Sequence, residues 1–274
     1  MIVIRNFYNL FFIKIKMDLE IILYEVPQNL EIVKILDNSL LEAYNDSVMS
    51  SYNSNKARGV LNRFSARNRE IEGSNPFMLV HLQNSGLLPA RTKIATRQNL
   101  EKALKLGLKL PENYVDFGLT LKTAGDSHFP NDLPARLLAE QLKKRGIKLG
   151  SGKLIPISAL KVMENADSAY GLVFDLKDGI RELEDLSQFK WNYQKDNGLA
   201  CAGFGWYGKN GWFSDYENLD FSFDSGRVVL VTSFATSRNF LDKKLKELWK
   251  KRDKEIAIIQ KRYAEEEKIL LENY

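Results

Sequence analysis

The sequence is poor in the residues that carry most metal and thiol chemistry. Cys201 is the one cysteine in 274 residues, so no internal disulfide can form. Two histidines, His81 and His128, leave little room for His-rich metal sites or histidine acid–base networks. Long apolar runs are also lacking. Residues 2–13 are apolar apart from Arg5, Asn6 and Asn9, and the run stops at Lys14 and Lys16. That is short of the roughly 20 residues a spanning helix needs, and no small-residue cleavage site follows. Met17-Asp18-Leu19 opens an ordinary soluble pattern, so Met17 is an expected start alternative to Met1. With neither a signal peptide nor a disulfide, a cytoplasmic location is expected. No charge sign dominates: 40 Lys+Arg against 35 Asp+Glu gives +5, too weak alone to imply a nucleic-acid partner. What is present is 44% hydrophobic residues, enough to exclude a disordered or collagen-like chain. The length fits one large domain or two small ones. The balance favours binding over metal or thiol chemistry, and no cofactor or metal is expected.

Along the first third, residues 29–48 predict a helix, with Leu30, Val33, Leu36, Leu40, Leu41, Tyr44 and Val48 on one face. The polar stretch after Tyr44 reads as a loop. Lys56, Arg58, Arg63, Arg67 and Arg69 alternate with Val60, Leu61, Phe64 and Ile71. This predicts a short basic amphipathic helix over 56–72, an anion contact or simply a solvated face. The run FMLVHL within 73–89 reads as a strand, with His81 a buried and satisfied side chain. Thr96 is an expected N-cap for a helix carrying Leu100, Ala103 and Leu104. A second helix is expected from Asp132, with Pro134 in its first turn, Lys143, Lys144 and Arg145 in its last, and Gly146 as its stop. Between them lies a strand and a loop holding Asp126 and His128, too weak a pair to imply catalysis.

After residue 150 the pattern changes. Segments 153–157, 169–176, 188–193, 200–206 and 226–234 are short β-branched or aromatic runs separated by Gly, Asn and Asp. They lie too close together for crossover helices, so a mainly antiparallel sheet is expected, and the fold class is α+β. The last segment, Leu241–Tyr274, has no Gly or Pro. Apolar residues recur at Leu241, Leu245, Leu248, Ile256, Ile259, Tyr263 and Leu270 at near-helical period, with Glu247 and Lys251 as an i, i+4 pair. One long helix is expected, docked on its own domain, self-associated or projecting. Arg252 and Glu266 interrupt its stripe, which argues against a strong coiled coil. The expected division is 1–16 as an upstream or flexible segment, 17–89 a mostly helical extension, 90–239 the main domain and 240–274 the long helix.

Residues 203–226 concentrate the unusual composition: five Gly, two Trp, two Tyr and four Phe, with Ser, Asn and Asp between them. No strand or helix period survives through the segment, so it reads as an ordered surface loop region. Tyr and Trp supply rigid amphipathic contact area, while Ser, Asn and Gly supply adaptable polar contact. Trp206, Trp212 and Leu219 are expected to be scaffold. Phe213, Asp215, Tyr216, Asn218, Phe223 and Asp224 are expected to face outward.

The succession of IATRQNLEKAL, LPARLLAEQLKKRG, LIPISAL, SAYGLVFDL, FKWNY, NGLACAGFGW, the Trp212 loop and GRVVLV resembles the C-type lectin fold in its formylglycine-generating-enzyme-like branch. More narrowly it is similar to the variable proteins of diversity-generating retroelements, over roughly residues 90–235. The resemblance implies a C-type-lectin-like domain with two helices, and a ligand face that varies through adenine-directed changes at Asn-type codons. Such changes reach Asn, Asp, Tyr, Phe, Ser and Gly but not Trp, Lys, Glu, Gln or Met. Phe204, Tyr207, Phe213, Ser214, Asp215, Tyr216, Asn218, Phe221, Phe223 and Asp224 lie in the reachable set. Trp206, Lys209, Trp212 and Glu217 do not. The chain departs from the pattern in having a long helix after this segment. The lone Cys201 falls short of the cysteine pair of the oxidase members, and neither an EPN nor a QPD sugar-binding motif is present.

Three functions follow as expectations. The first is a non-enzymatic binding protein whose ligand, a protein or other macromolecule, meets residues 204–224. The second is a nucleic-acid-associated protein resting on Lys56–Arg69 and the Lys-rich terminal helix. The third is an enzyme using Asp126 with His128, or the acids Asp215, Glu217, Asp220 and Asp224, for which no spacing argues.

Overall fold

The computed structural model describes residues 38–67, 70–90, 92–105, 114–125, 129–188, 190–191, 193–194, 198–205, 211–215, 218–232, 249–250 and 252–265. The first sixteen residues and Met17, the Asp126–His128 pair, and Trp206, Tyr207, Lys209, Tyr216 and Glu217 lie outside them. The chain divides into two compact units at Thr232. The class is mixed α+β, as the element pattern predicts. In the first unit, helices α1 (Asn38–Ser51), α2 (Asn55–Leu61) and α3 (Pro76–Asn84) alternate with strands β1 (Ser65–Arg67), β2 (Glu70–Glu72) and β3 (Thr92–Ile94). Then follow α4 (Arg97–Lys105), β4 (Tyr114–Leu121) and α5 (Asp132–Lys144). Nine strands complete it: β5 (Lys153–Pro156), β6 (Leu160–Glu164), β7 (Leu172–Leu176), β8 (Glu184–Asp185), β9 (Tyr193–Gln194), β10 (Leu199–Phe204), β11 (Trp212–Asp215), β12 (Gly226–Arg227) and β13 (Leu230–Thr232). The second unit holds a helix, α6, over 252–265.

The main sheet runs β1-β2-β12-β4-β10-β11-β9, with β5 joining β4 to β8. Most pairs are antiparallel, but β12 pairs with β4, and β11 with β9, in parallel. β4 is the central strand, and all eight of its residues are buried. Its pairing with β10 shifts register between Ala202 and Gly203. A bulge of this kind turns the following side chains to the other face. As a result Val115 and Phe117 join one apolar cluster with Ala202, Phe204 and Leu154. Leu119 and Leu121 join the other, with Leu138, Phe174 and Leu199. Separately, β3 pairs antiparallel with β13, Ile94 opposite Leu230, which ties the two ends of the 92–232 segment together. Residues 38–84 share this sheet and core: β1 and β2 extend the sheet through β12, and Tyr44, Val48, Phe77 and Leu79 lie in the larger cluster.

Several local expectations change. FMLVHL is helical, not a strand. A continuous apolar run fits a buried helix as well as a strand, and here the start decides: Pro76 occupies the first turn and Asn75 accepts the Met78 N–H at 2.8 Å. The polar stretch after Tyr44 is helical to Ser51, because Tyr44 and Val48 are both buried on one helical face. The basic segment 56–72 is a seven-residue helix capped by Ser54, followed by two strands. Among the described residues of QFKWNY, Gln188 ends a 3-10 turn (Leu186–Gln188) and Tyr193 begins β9. Within 203–226, Trp212–Asp215 forms β11, so strand structure does enter that segment. The helix from Arg97 and the helix from Asp132 fall where the sequence places them.

Candidate functional site

The loop from Asn218 to Gly226 leads from the region beyond β11 into β12. Its backbone is fixed at several points. The Leu219 N–H donates to Tyr170 Oη at 2.9 Å, and the Leu219 side chain is buried. Asp220 accepts from Arg63 through its carbonyl at 2.6 Å and its carboxylate at 2.8 Å. Ser222 Oγ accepts the Ser74 N–H at 3.0 Å, and the Phe223 N–H donates to Tyr114 Oη at 2.9 Å. Gly226 accepts the Gly73 N–H at 3.0 Å. A Cβ on Gly226 would stand 2.7 Å from Ser74 N and 2.8 Å from Tyr114 Oη, so glycine is what lets these anchors close.

From this fixed backbone two aromatic rings project outward. Phe221 and Phe223 are 37% and 41% exposed, with centroids 3.9 Å apart and planes at 80°. An edge-to-face pair keeps both rings in place at little entropic cost. Asn218 and Asp224 are exposed beside them. Arg63, held by Asp220, forms part of the polar edge. Arg227 reaches the Asp224 carbonyl and Glu72 Oε1 at 3.3 Å, closing the other side.

Among the described residues, other members of the expected ligand set lie elsewhere, while Tyr207 and Tyr216 are outside the described residues. Phe204, Phe213 and Ser214 are buried, which corrects the outward placement of Phe213. They belong to the β10–β11 hairpin, whose inner positions the central sheet covers. The Phe213 ring lies where a Cβ on Gly203 would come within 2.2 Å, and Ser214 Oγ meets Thr120 Oγ1 at 2.5 Å. Phe204 packs edge-on to Trp212 at 4.8 Å, and Phe117 does so at 5.5 Å. Trp212 is half-buried against that cluster and Leu219 is buried. Asp215 ends β11. Of the ten expected ligand residues, the structure brings Asn218, Phe221, Phe223 and Asp224 together at the surface.

Of the basic residues in 56–72, Lys56, Arg58 and Arg63 each meet an acceptor of the fold, and Arg69 lies outside the described residues. Lys56 Nζ donates to the Ser168 carbonyl at 3.0 Å, Arg58 Nε to the Tyr52 carbonyl at 2.8 Å, and Arg63 to Asp220. His81 is buried on α3, with Nε2 3.1 Å from Ser47 Oγ and Nδ1 3.2 Å from Tyr52 Oη. Burial lowers its pKa to about 4, so it stays neutral near pH 7 and is satisfied as expected.

One polar group escaped the sequence reading. Asp116 sits in the apolar run YVDFGLTL and is 3% exposed. The register shift puts it on the same side as Cys201, whose thiol donates to Oδ1 at 3.0 Å. Burial pushes its pKa up to about 6, against the opposing pull of that thiol. The buried Ser74 hydroxyl pulls in the same direction as the thiol. A lone acid within a strand-like apolar run was the available signal. Among the described residues no three His, Cys, Asp or Glu side chains gather as a metal site, and no helix is long and apolar enough to cross a membrane. No family model, curated protein or solved structure matches the chain.

Proposed function

We propose that the protein is a non-enzymatic binding protein. Its ligand face is the Asn218, Phe221, Phe223, Asp224 patch on a C-type-lectin-like scaffold, similar to the variable proteins of diversity-generating retroelements. The observation that carries the reading is an exposed edge-to-face Phe pair on a loop whose backbone is tied to Tyr170, Arg63, Ser74 and Tyr114. Hot spots of macromolecular interfaces are aromatic anchors with a polar rim, and a pre-fixed loop lowers the ordering cost of binding. All four surface positions hold residues that adenine-directed change can reach, while Leu219 between them is buried. Phe204, Phe213 and Ser214 then serve the fold, so the face is narrower than residues 204–224. The ligand class that fits is a protein surface with an apolar cavity or ridge for two rings.

The coding DNA supplies the test. A near-repeat of the segment for residues 218–224, differing mainly at adenines and lying beside a reverse-transcriptase gene, is expected. A neighbourhood with neither feature rejects the retroelement part of the proposal. Retained binding after Phe221→Ala with Phe223→Ala rejects the face itself.

A further inference from the structure

The cations at the edge of the 218–226 loop are engaged within the fold. Arg63 gives one N–H to the Asp220 carbonyl and one to its carboxylate, and Arg227 pairs with Glu72 at 3.3 Å. Asp224 differs from the acids they hold. It is exposed, follows Phe223 directly, and accepts from Arg227 through its backbone carbonyl. Its carboxylate has no hydrogen-bond or ion-pair partner among the described residues. Arg63 and Arg227 against Asp220, Glu72 and Asp224 leave one negative charge at this face, in a chain whose formal charge is +5.

An exposed ring pair and an open carboxylate side by side select a particular side chain. An aromatic face attracts a cation through its quadrupole, and a guanidinium does more than an ammonium, because it stacks flat on the ring and keeps N–H donors at its edge. A neighbouring carboxylate takes those donors as charge-assisted hydrogen bonds. The apolar stem of an arginine lies along the rings while its head stays paired. A purely apolar knob would cover the carboxylate without a partner, and an acidic one would repel it. The Phe223 N–H, tied to Tyr114 Oη, holds the backbone at this point before any partner arrives, which lowers the ordering cost. Resting on the reading of this patch as the ligand face, we infer that the partner is a protein segment presenting an arginine. Its guanidinium stacks on the Phe221–Phe223 pair and donates to the Asp224 carboxylate.

The probe is a library of random linear peptides displayed on phage and selected on the immobilised full chain, with the Phe221→Ala, Phe223→Ala double variant as counter-screen. Peptides that bind the wild type and not the double variant are expected to carry arginine well above its frequency in the unselected library. For one such peptide made synthetically, citrulline in place of the arginine keeps the shape and removes the charge. Calorimetry should show binding weakened about tenfold by citrulline and about threefold to fivefold by Asp224→Asn. The two changes together should weaken it about as much as citrulline alone, since they remove one shared contact. Ring-dependent peptides that lack arginine, or whose affinity is the same for Asp224→Asn as for wild type, overturn this inference and leave the face standing. A selection in which no peptide depends on the two rings rejects the face itself, and this inference with it.

Discussion

Replacing Asp116 by Asn should stabilise the protein, and only where the carboxyl would ionise. Asp116 is buried, and its pKa rises from 3.8 to about 6 because burial disfavours the charge. The folded state therefore holds the proton more tightly than the unfolded state. Below pH 3.8 both states are protonated and no penalty exists. As pH rises from 3.8 to about 6 the unfolded state ionises first, and folding loses roughly 3 kcal/mol, at ~1.4 kcal/mol for each pH unit. Asn keeps an acceptor for the Cys201 thiol. Asp116→Asn should accordingly be up to about 3 kcal/mol more stable at pH 7 and equal to wild type at pH 3.5. His81 sharpens the assay. Its folded pKa is lowered from 6.5 to about 4, so stability is complete above pH 6.5 and lost as pH falls through 4. In wild type the two groups oppose each other in the same window; in the variant the His81 loss is unmasked. Urea unfolding of both proteins at several pH values between 3.5 and 7.5 measures the difference directly. A variant less stable at pH 7, or a difference that does not change with pH, refutes the reasoning.

Other outcomes follow from packing. Gly203→Ala drives a Cβ into the Phe213 ring and should cost about 1–3 kcal/mol in denaturant titration. Phe213→Ala, at a buried site, should cost about 3–5 kcal/mol, whereas Phe221→Ala with Phe223→Ala should move stability by only ~1 kcal/mol. Tyr170→Phe removes the acceptor of the Leu219 N–H and the buried contact with Asn131. Hydrogen exchange at the Leu219 amide should speed up at least tenfold, with a stability loss near 1–2 kcal/mol.

The parts legible in sequence were those with strong local signals. Pro134, the basic last turn and Gly146 place the α5 helix, and the Thr96 region starts α4. The strand character of 114–121 and 199–204 shows in their β-branched and apolar runs. FMLVHL misled because a wholly buried segment has no polar face to reveal its period. In the basic run over 56–72, Lys56 and Arg58 cap carbonyls and Arg63 pairs with Asp220, contacts more than a hundred residues away in sequence for Lys56 and Arg63. Which residues of the aromatic segment face outward depends on tertiary placement that its composition does not encode. Composition gives Phe213 and Phe223 the same weight, while the β10–β11 hairpin buries Phe213 and the 218–226 loop exposes Phe223. Asp116 shares a face with Cys201 only through a bulge, which leaves no mark in sequence spacing.

The most direct test randomises residues 218, 221, 223 and 224 together, with Leu219, Asp220 and Ser222 kept, and selects the displayed library on one immobilised protein of known sequence. The account predicts that most members melt within a few degrees of wild type, and that selection yields members which bind the target through these four positions. Widespread unfolding, or binders whose affinity is unchanged when the four positions are changed to alanine, would contradict it.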